Sequence, residues 1–212
     1  MKYEGLGVVI TGASRGLGLE LADHFEGANV FDLSRTNGCD VSDPAAVRAT
    51  LPPHVDILVN NAAVGSASYA AATPDGIARE TVLTNLLGTF NCSVEAAKRM
   101  RSTGGRIINI GSIAVPFEDA GTALYTATKA GCEAMTGVLA KEFAPWGVTV
   151  NTVGVSALPT AMWAAHSEAT QKAILSRLPL GMATFEDVFA VVDFFCSSPF
   201  ITGQTIYLGG AR

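Results

Sequence analysis

The sequence predicts an α/β protein built on a doubly wound parallel sheet, in one domain that spans residues 1–212. Short apolar segments alternate with segments of helical spacing along the whole chain, the pattern of repeated strand–helix units. A glycine-rich turn separates the first apolar segment from the first helix. At 212 residues and 49% hydrophobic content, the chain can bury one sizeable core.

The first unit consists of a strand, a turn, a helix and a second strand. Leu6 to Ile10 form a short apolar run, typical of a strand buried on both faces. Apolar residues from Leu17 to Phe25 follow with helical spacing, and Gly27 supplies a stop signal for that helix. Asn29 to Leu33 then form a second strand.

The next segment is too short for a complete unit. Asp43-Pro44 has the pattern of a helix N-cap followed by proline at the first helical position. Only nine residues, 34 to 42, separate this cap from Leu33, whereas a parallel crossover needs roughly a dozen or more. We therefore predict that the helix after the second strand is missing and that a third strand, near Thr36 to Cys39, is vestigial.

The remaining elements alternate regularly. Further strands are predicted at Ile57–Val59, Arg106–Ile110, Val148–Val153 and Thr205–Leu208. Helices are predicted at Glu80–Arg101, Tyr125–Phe143 and Phe185–Cys196.

Composition and charge exclude several classes of protein. The net charge is −5 with no basic run, so nucleic acid and anionic membranes are not expected partners. No apolar run approaches the roughly 20 residues of a membrane span. The cysteines and histidines are scattered without metal-site spacing, so no metal is expected. With no signal-peptide pattern at the N-terminus, we expect a cytoplasmic protein with reduced thiols.

The glycine-rich turn has the character of a phosphate-binding loop. It reads Thr11-Gly12-Ala13-Ser14-Arg15-Gly16-Leu17-Gly18. Glycines allow close approach of a pyrophosphate, and the following helix offers unpaired N–H groups and its positive dipole end. An ordinary glycine-rich turn is the alternative, but the preceding strand and following helix favour a dinucleotide site.

Tyr125 and Lys129 lie one helical turn apart at the head of a predicted helix, so they share a face. A free phenol, with a pKa of about 10, is a poor acid at neutral pH. A neighbouring ammonium stabilises the phenolate and makes a phenol usable as a proton donor and acceptor. A half-buried tyrosine beside a solvated lysine is the alternative reading of this pair.

The order of several motifs separates these alternatives. Along the chain stand the glycine loop, Asn60-Asn61-Ala62-Ala63, Asn85, Ser112, Tyr125 with Lys129, Thr202-Gly203-Gln204-Thr205 and Gly209-Gly210. Together they resemble the short-chain dehydrogenase/reductase family in its single-domain form, most nearly the 3-oxoacyl-acyl-carrier-protein reductases. The resemblance covers nearly the whole chain and implies a Rossmann-type fold and a nicotinamide-dependent oxidoreductase.

The resemblance implies four catalytic residues. Tyr125 would be the catalytic acid and base, and Lys129 would assist it while hydrogen-bonding the nicotinamide ribose. Ser112 would hold the substrate oxygen and stabilise charge that develops there. Asn85 would anchor the water of a proton relay, with a buried amide bonded to backbone as the alternative reading.

The resemblance also implies a set of residues that bind the dinucleotide. Besides Tyr125 and Lys129, these are Gly12, Ser14, Arg15, Gly16, Leu17, Gly18, Ser34, Arg35, Asp40, Val41, Asn61, Ala62, Ala63, Leu158 and Thr160. Asp40-Val41 would recognise adenine, and Leu158 and Thr160 would contact the nicotinamide carboxamide. Two positions depart from the family: Ala63 replaces a glycine, and Val155-Ser156 replaces Pro-Gly, which changes the backbone freedom of that loop.

The residue that ends the second strand predicts the cofactor. In this fold it meets the adenosine ribose, and an acid there accepts hydrogen bonds from the hydroxyls of NAD. The position falls on Ser34, followed by Arg35; Asp32 lies two residues earlier and is interpreted as structural. Arg35 and Arg15 can instead bind a 2′-phosphate, so NADP(H) is expected over NAD(H). Solvated surface charge is the alternative for both arginines.

The insert at about 156–182 would cover a small-molecule carbonyl or alcohol. Its Met162, Trp163, Ile174 and Leu178 suit an apolar or aromatic ketone, but could equally pack as a helix. The predicted activity is reduction of a ketone, or oxidation of a secondary alcohol, with NADPH. One alternative is an NAD-dependent alcohol dehydrogenase. The other is a non-catalytic nucleotide-sensing protein, and the presence of the Tyr–Lys pair argues against this second alternative.

The helices beginning at Glu80 and Tyr125 are apolar on more than one side. Such helices pair across a two-fold axis in the family, so a homo-oligomer, a tetramer or a dimer, is expected.

Overall fold

Six parallel strands form one sheet in a computed structural model that describes residues 2–65 and 68–210. The strand order is β2-β1-β3-β4-β5-β6, and every neighbouring pair is parallel. The strands are β1 (Gly7–Thr11), β2 (Asn29–Leu33), β3 (Ile57–Asn60), β4 (Gly105–Ile110), β5 (Val148–Gly154) and β6 (Thr205–Tyr207). The chain runs outward from β1 to β2 and then returns to β3 on the other side of β1. The predicted doubly wound sheet is therefore confirmed, with its switch point between β1 and β3.

Helices cover both faces of this sheet. They are α1 (Gly16–His24), α2 (Pro44–Thr50), α3 (Asp75–Val82), α4 (Thr89–Met100), α5 (Ala114–Phe117), α6 (Ala123–Phe143), α7 (Ala161–Ala164), α8 (Glu168–Leu175) and α9 (Phe185–Ser197). The helix predicted from Glu80 begins earlier, at Asp75, and a π-helical stretch, Leu83–Gly88, separates α3 from α4. The predicted insert contains α7 and α8.

The sheet is reduced at its β2 edge, as the chain length predicts. Between Leu33 and the start of α2, the described chain contains a 3₁₀ turn, Arg35–Asn37, and no strand. The missing crossover helix is confirmed. The predicted vestigial third strand is not formed, because the segment near Thr36 to Cys39 folds as this turn instead. Asp43 caps α2 as predicted, because its side chain accepts a hydrogen bond from the Ala45 N–H at 2.8 Å.

The core has two halves, one on each face of the sheet. Alternate residues of each strand point to opposite faces, so Val9 belongs to one half while Val8 and Ile10 belong to the other. The first half packs strand residues against α2, α4 and α6, and the second packs them against α1 and α9. Burial on both faces explains the nearly continuous apolar strands.

The loop that replaces the missing crossover is held by α4 and the stretch before it. A Cβ atom on Gly88 would lie 2.6 Å from Cγ2 of Val41, so only glycine lets Val41 sit there. The Asn91 amide donates hydrogen bonds to the carbonyl oxygens of Val41, at 3.1 Å, and Ser42, at 3.3 Å. Residues 34–43 therefore depend on these helices rather than on a strand–helix unit of their own.

Three observations concern membrane-spanning helices, metal sites and the cysteines. No described helix has the length and apolar character that crossing a membrane requires. Among the described residues, no group of three or more His, Cys, Asp or Glu side chains could hold a metal ion. All four cysteines are free, and Cys39, Cys92 and Cys132 are buried.

A buried carboxylate joins α2 to α4. The side chain of Glu95 is 6% exposed and forms ion pairs with Lys98 at 2.7 Å and Arg48 at 3.2 Å. Arg99, also paired with Glu95, donates to the carbonyl oxygens of Pro52 and Arg48. The hydrogen bond from Lys98, followed by that from Arg48, lowers the pKa of Glu95 against the opposing effect of burial.

Glu95→Gln is expected to lower the free energy of unfolding at pH 7 by about 1–2 kcal/mol, because charge-assisted hydrogen bonds are lost. The folded state lowers the pKa of Glu95, so this stabilisation is present above the ordinary glutamate pKa of about 4.3 and is lost as pH falls through the lower folded value. Thermal unfolding of the wild-type protein and of Glu95→Gln, from pH 7 to pH 3, measures the difference in their stability. This difference should become smaller in acid. The control Glu142→Gln, at an exposed position of α6, should change stability by less than about 0.5 kcal/mol. An equal effect of the two substitutions would contradict the prediction.

Candidate active site

The glycine loop joins β1 to α1 with two residues in the left-handed region. Gly12 has a φ of 67° and Gly16 a φ of 56°, values that favour glycine. Gly18 is required for a different reason, since a Cβ there would lie 2.3 Å from the Gly12 carbonyl oxygen. Leu17 packs against the adjoining core, while Ser14 and Arg15 lie exposed at the loop. The loop leaves the N-terminus of α1 facing the switch point.

The ends of β1 and β3 are joined beside this loop. The backbone N–H groups of Asn61 and Ala62 both donate to Thr11 Oγ1 at 2.9 Å. The Asn61 side-chain amide donates to the carbonyl oxygens of Thr11, at 3.0 Å, and Gly12, at 3.1 Å. These contacts bring Asn61, Ala62 and the adjoining Ala63 to the glycine loop. The sequence assigned all three to the same predicted site as that loop. Sequence reasoning missed this role of Thr11 in joining the two strand ends. Its only signal in the sequence is a hydroxyl residue at the end of a strand.

Asp32 supports the loop from the second strand. Its Oδ1 accepts from the Ala13 N–H at 3.0 Å, and its Oδ2 accepts from Ser34 Oγ and Asn37 Nδ2, both at 2.8 Å. These contacts agree with the structural interpretation of Asp32. Ser34 is buried, and its hydroxyl also lies 2.7 Å from Thr36 Oγ1, so the residue expected at the ribose is held in a local network.

The other residues expected at the adenosine end also have partners within the chain. Arg35 Nη1 lies 3.0 Å from Glu80 Oε1, in an exposed ion pair that the sequence did not predict. Asp40 Oδ1 accepts from the hydroxyl and the N–H of Ser42, and these hydrogen bonds lower the pKa of Asp40. Val41 is buried against Gly88. Adenine recognition by Asp40 and Val41 stays a prediction.

Lys129 is the buried cation of the site. Only 4% of the residue is exposed, and its Nζ donates to the carbonyl oxygen of Ile110, at the end of β4, at 2.6 Å. The same Nζ lies 5.8 Å from the centre of the Tyr125 ring. A buried ammonium is costly unless it is hydrogen-bonded, so this contact fixes both the first turns of α6 and the lysine.

Ser112 follows β4 directly. Its Oγ accepts a hydrogen bond from the Ala114 N–H at 3.1 Å. Hydrogen bonds from the Gly111 N–H to Val153 and from the Ile113 N–H to Val155 continue the β4–β5 pairing on either side of it. The sheet edge thus positions the serine two residues beyond the carbonyl that holds Lys129.

Asn85 lies in the π-helical stretch, where its side chain holds the segment after β3. Its Oδ1 accepts from the Val64 N–H and its Nδ2 donates to the Val64 carbonyl oxygen, both at 2.8 Å. The carbonyl oxygen of Asn85 itself accepts from Thr89 Oγ1 and Cys132 Sγ. The side chain is the buried, backbone-bonded amide of the alternative reading, and a role in a proton relay stays a prediction.

The segment after β5 returns toward the glycine loop. Leu158 is buried, and Thr160 Oγ1 caps α7 by accepting from the Trp163 N–H at 3.3 Å. Thr160 Cγ2 lies 4.0 Å from the Cβ position of Gly16. The predicted contacts to the nicotinamide end are therefore brought to the same edge of the sheet as the phosphate loop.

The apolar residues of the insert divide between packing and exposure. Leu178 is buried in a small core cluster with Ile113 and Ala157, and Trp163 and Ile174 pack against it. Met162 is 47% exposed, and its sulfur lies 4.0 Å from the Cβ position of Gly65. The Tyr125 ring lies 3.4 Å from that same position, so Met162 of the insert lies close to the predicted chemistry.

A cleft of about 450 Å³ opens beside Tyr125. It lies between residues 68–81 and the start of α6, and its lining combines Ala78 and Leu124 with the polar residues Thr73 and Asp75. Tyr125 is one of its lining residues, whereas Ser112, Lys129 and the glycine loop do not line it.

The parallel sheet order, with a glycine loop at its switch point, is that of a dinucleotide-binding fold. The chain belongs to the short-chain dehydrogenase/reductase family. A family model described as enoyl-(acyl carrier protein) reductase matches residues 1–210, which confirms the resemblance.

Individual relatives are reductases of acyl-carrier-protein substrates by name. The chain is 32% identical to 3-oxoacyl-(acyl-carrier-protein) reductase FabG of Salmonella typhimurium, over 99% of this chain and 98% of the relative. The same values hold for FabG of Escherichia coli. A crystal structure of 3-ketoacyl-(acyl-carrier-protein) reductase from Brucella melitensis complexed with NADH is 25% identical, with a TM-score of 0.90 and 98% coverage of both chains.

This chain is shorter than its relatives. The alignment with the Salmonella protein extends over 239 residues, against 212 in this chain, so at least 27 aligned positions have no residue here. The reduced edge after β2 is where the structure lacks a helix and a strand that the full doubly wound order contains.

Gly18→Ala is expected to lower the free energy of unfolding by at least about 2 kcal/mol, because the methyl group would clash with the Gly12 carbonyl oxygen and with the hydrogen-bonded Asn61 amide. Thermal unfolding should show a fall in midpoint of roughly 4–8 °C for a chain of this size. Gly76→Ala is the matched control: nothing lies within 4 Å of its Cβ position on α3. That variant should be unchanged or slightly stabilised. Equal midpoints for the two variants would show that the close approach at Gly18 is relaxed without cost.

Proposed function

We propose that this chain is an NADPH-dependent reductase of ketones, running the reverse oxidation of secondary alcohols as well, with Tyr125 as the proton donor. The observation that carries the proposal is the buried ammonium of Lys129, held by the Ile110 carbonyl oxygen beside the Tyr125 ring. A lysine buried in this way is costly for a purely structural residue. Its value is electrostatic, since it favours negative charge on a neighbouring phenol.

The proposed reaction has one hydride and one proton transfer. When bound, a reduced nicotinamide would supply the hydride that the carbonyl carbon accepts. Tyr125 donates its phenolic proton to the carbonyl oxygen, which gives the alcohol and leaves a phenolate that solvent reprotonates. Lys129 stabilises that phenolate, and Ser112 donates a hydrogen bond to the oxygen as negative charge develops on it.

Asn85 contributes as a positioning residue in this scheme. Its side chain fixes Val64 in the segment that follows β3, and its Nδ2 also lies 3.3 Å from Thr128 Oγ1, beside Lys129 in α6. Through these contacts it joins the segment along the proposed cofactor to the helix that carries Tyr125. Anchoring the water of a proton relay is the further role that we retain for Asn85 from the family.

Residues of the glycine loop fit a dinucleotide. The left-handed Gly12 and Gly16 shape the turn that leads into the N-terminus of α1, and a helix N-terminus suits a pyrophosphate. The reductase from Brucella melitensis, with the same fold, is complexed with NADH. For this chain we propose NADPH, because Ser34 replaces the acid expected for NAD and Arg35 follows it.

One observation favours the alternative, an NAD-dependent alcohol dehydrogenase. The Asp32 carboxylate lies 2.8 Å from the Ser34 hydroxyl, so negative charge is close to the expected ribose position. We give this less weight because Asp32 already accepts hydrogen bonds from Ala13, Ser34 and Asn37.

An apolar ketone is the proposed substrate, covered by the insert at 156–182. The half-exposed Met162 beside Gly65 and Tyr125 supports an apolar contact at the reacting group. The relatives named above act on 3-oxoacyl groups by name, so a 3-oxoacyl compound is the substrate class to test first. We propose a cytoplasmic location for such an enzyme, in keeping with its free thiols.

Tyr125→Phe is expected to lower kcat on a reducible ketone by a hundredfold or more, since it deletes the transferred proton. Affinity for NADPH, measured by fluorescence titration, should stay within about twofold. The matched control Tyr69→Phe alters a tyrosine that is 72% exposed and should keep wild-type kcat. Lys129→Ala should reduce both kcat and NADPH affinity. Wild-type kcat in Tyr125→Phe would refute the catalytic assignment.

The wild-type protein is expected to bind NADPH at least tenfold more tightly than NADH, because each charge-assisted contact to the 2′-phosphate is worth roughly 1.5–3 kcal/mol. Arg35→Ala should reduce that ratio chiefly by weakening NADPH. Calorimetric or fluorescence titration of both dinucleotides measures it. Equal affinities in the wild-type protein would favour the NAD-dependent alternative.

We also propose that the protein is a homo-oligomer whose copies pair through α3, α4 and α6. An apolar groove of about 400 Å³ lies there, lined by Val82, Leu83, Leu86, Leu87, Phe90 and Met135. Phe90 is 44% exposed, and a second copy of the same face would bury it. Apolar residues at this density on a helix surface mark an interface.

Sedimentation velocity at micromolar concentration is expected to give a dimer or tetramer of the 21.9 kDa chain. Phe90→Glu should shift the distribution toward monomer, because a charge would be buried in the interface. The exposed-site control Glu142→Gln should leave it unchanged. A monomer in the wild-type protein would contradict the proposal.

A further inference from the structure

The ion pair between Arg35 and Glu80 lies where the proposed 2′-phosphate contact would form. Arg35 Nη1 and Glu80 Oε1 are 3.0 Å apart, with side chains 60% and 41% exposed. We propose that Glu80 is a specificity-determining residue: it competes with the 2′-phosphate for the Arg35 guanidinium and so limits the preference for NADPH. The proposal rests on the proposed function, and it gives Glu80 a role that acts through Arg35.

The backbone of Arg35 is fixed, so only its side chain can move between partners. The Asn37 and Cys39 N–H groups donate to the Ser34 carbonyl oxygen, and the Gly38 N–H donates to that of Arg35. Asn37 Nδ2 also donates to the Asp32 carboxylate at 2.8 Å. The long, exposed arginine side chain projects from a rigid turn next to Ser34, the residue expected at the ribose.

The shortened sheet edge brings this turn against the helix that carries Glu80. Val41 sits on Gly88, and Asn91 binds the carbonyl oxygens of Val41 and Ser42. These contacts draw residues 34–43 onto the α3–α4 region. Glu80, near the end of α3, is then within reach of the arginine.

The neighbouring carboxylates differ in whether other groups already donate hydrogen bonds to them. Asp32 accepts hydrogen bonds from Ala13, Ser34 and Asn37, and the Asp40 carboxylate binds Ser42. Glu80 is the carboxylate in direct contact with the guanidinium. An exposed pair of this kind is weak, so a doubly charged phosphate can displace it, but at the cost of separating the pair.

The test is Glu80→Gln, which keeps the shape of the side chain and removes its charge. Affinities are measured by titration for NADPH and NADH, and for the fragments adenosine 2′,5′-bisphosphate and 5′-AMP, which need no turnover. The variant should bind NADPH and the bisphosphate about two- to fivefold more tightly, with NADH and 5′-AMP unchanged. The gain should shrink in 0.5 M salt, because exposed charges are screened.

Two further proteins separate this effect from a general change of charge. Glu142→Gln makes the same change of net charge on an exposed part of α6, and should alter none of the four affinities. In the double variant with Arg35→Ala, the effect of Glu80→Gln should disappear, since the cycle isolates the coupling between the two residues.

The outcomes distinguish this inference from the proposed function. A wild-type preference for NADPH that depends on Arg35 but is unchanged by Glu80→Gln would overturn the role of Glu80 alone. An equal gain for all four ligands, or a gain that persists without Arg35, would overturn it as well. If wild-type affinities for NADPH and NADH are equal and Arg35→Ala has no effect, the cofactor assignment itself fails.

Discussion

The site depends on the junction between the ends of β1 and β3. A doubly wound sheet forms its crevice where the chain leaves two neighbouring strands in opposite directions. Such a crevice has backbone groups that no strand can pair. Here Asn61 supplies the missing donors, since its amide binds the carbonyl oxygens of Thr11 and Gly12. The Thr11 hydroxyl oxygen in turn accepts hydrogen bonds from the Asn61 and Ala62 N–H groups. The glycine loop is therefore held open by hydrogen bonds that also position the segment after β3.

Burial of polar groups extends from this junction to the catalytic helix. Asn60 donates to Asn109 Oδ1 at 2.8 Å, and Asn109 donates to Thr136 Oγ1 at 2.8 Å. Thr136 in turn lies 2.8 Å from Thr152 Oγ1. These buried hydrogen bonds join α6 to the sheet and favour one register, although the Asn60 Oδ1 atom has no hydrogen-bond partner among the described residues. That constraint is what keeps Lys129 at the carbonyl oxygen of Ile110 and Tyr125 at the cleft.

Local signals were enough to predict much of this from the sequence. The Asp43-Pro44 cap, the bounds of Asn29–Leu33 and the missing crossover all follow from residues close together in the chain. The order of motifs likewise singled out Ser112, Tyr125 and Lys129, whose catalytic roles stay predictions. Interactions between distant segments could not be predicted, because no local pattern encodes them. The side chain of Asn85 binds Val64, and Arg35 binds Glu80. The division of the insert, with Trp163 packed and Met162 exposed, is decided by tertiary contacts in the same way.

Because the sheet is reduced at its β2 edge, contacts with distant residues support the segment 34–43. In a full doubly wound sheet, the residues that meet the ribose are supported by the strand–helix unit that follows them. Here β2 is the edge strand, and residues 34–43 are supported by Gly88 and Asn91 instead. Gly88 ends the π-helical stretch that contains Asn85. The adenosine end of the proposed cofactor site and Asn85, the residue that binds Val64, therefore share one helical support. The segment that we propose selects the cofactor is thus supported by the helix at the centre of the site rather than by the sheet edge.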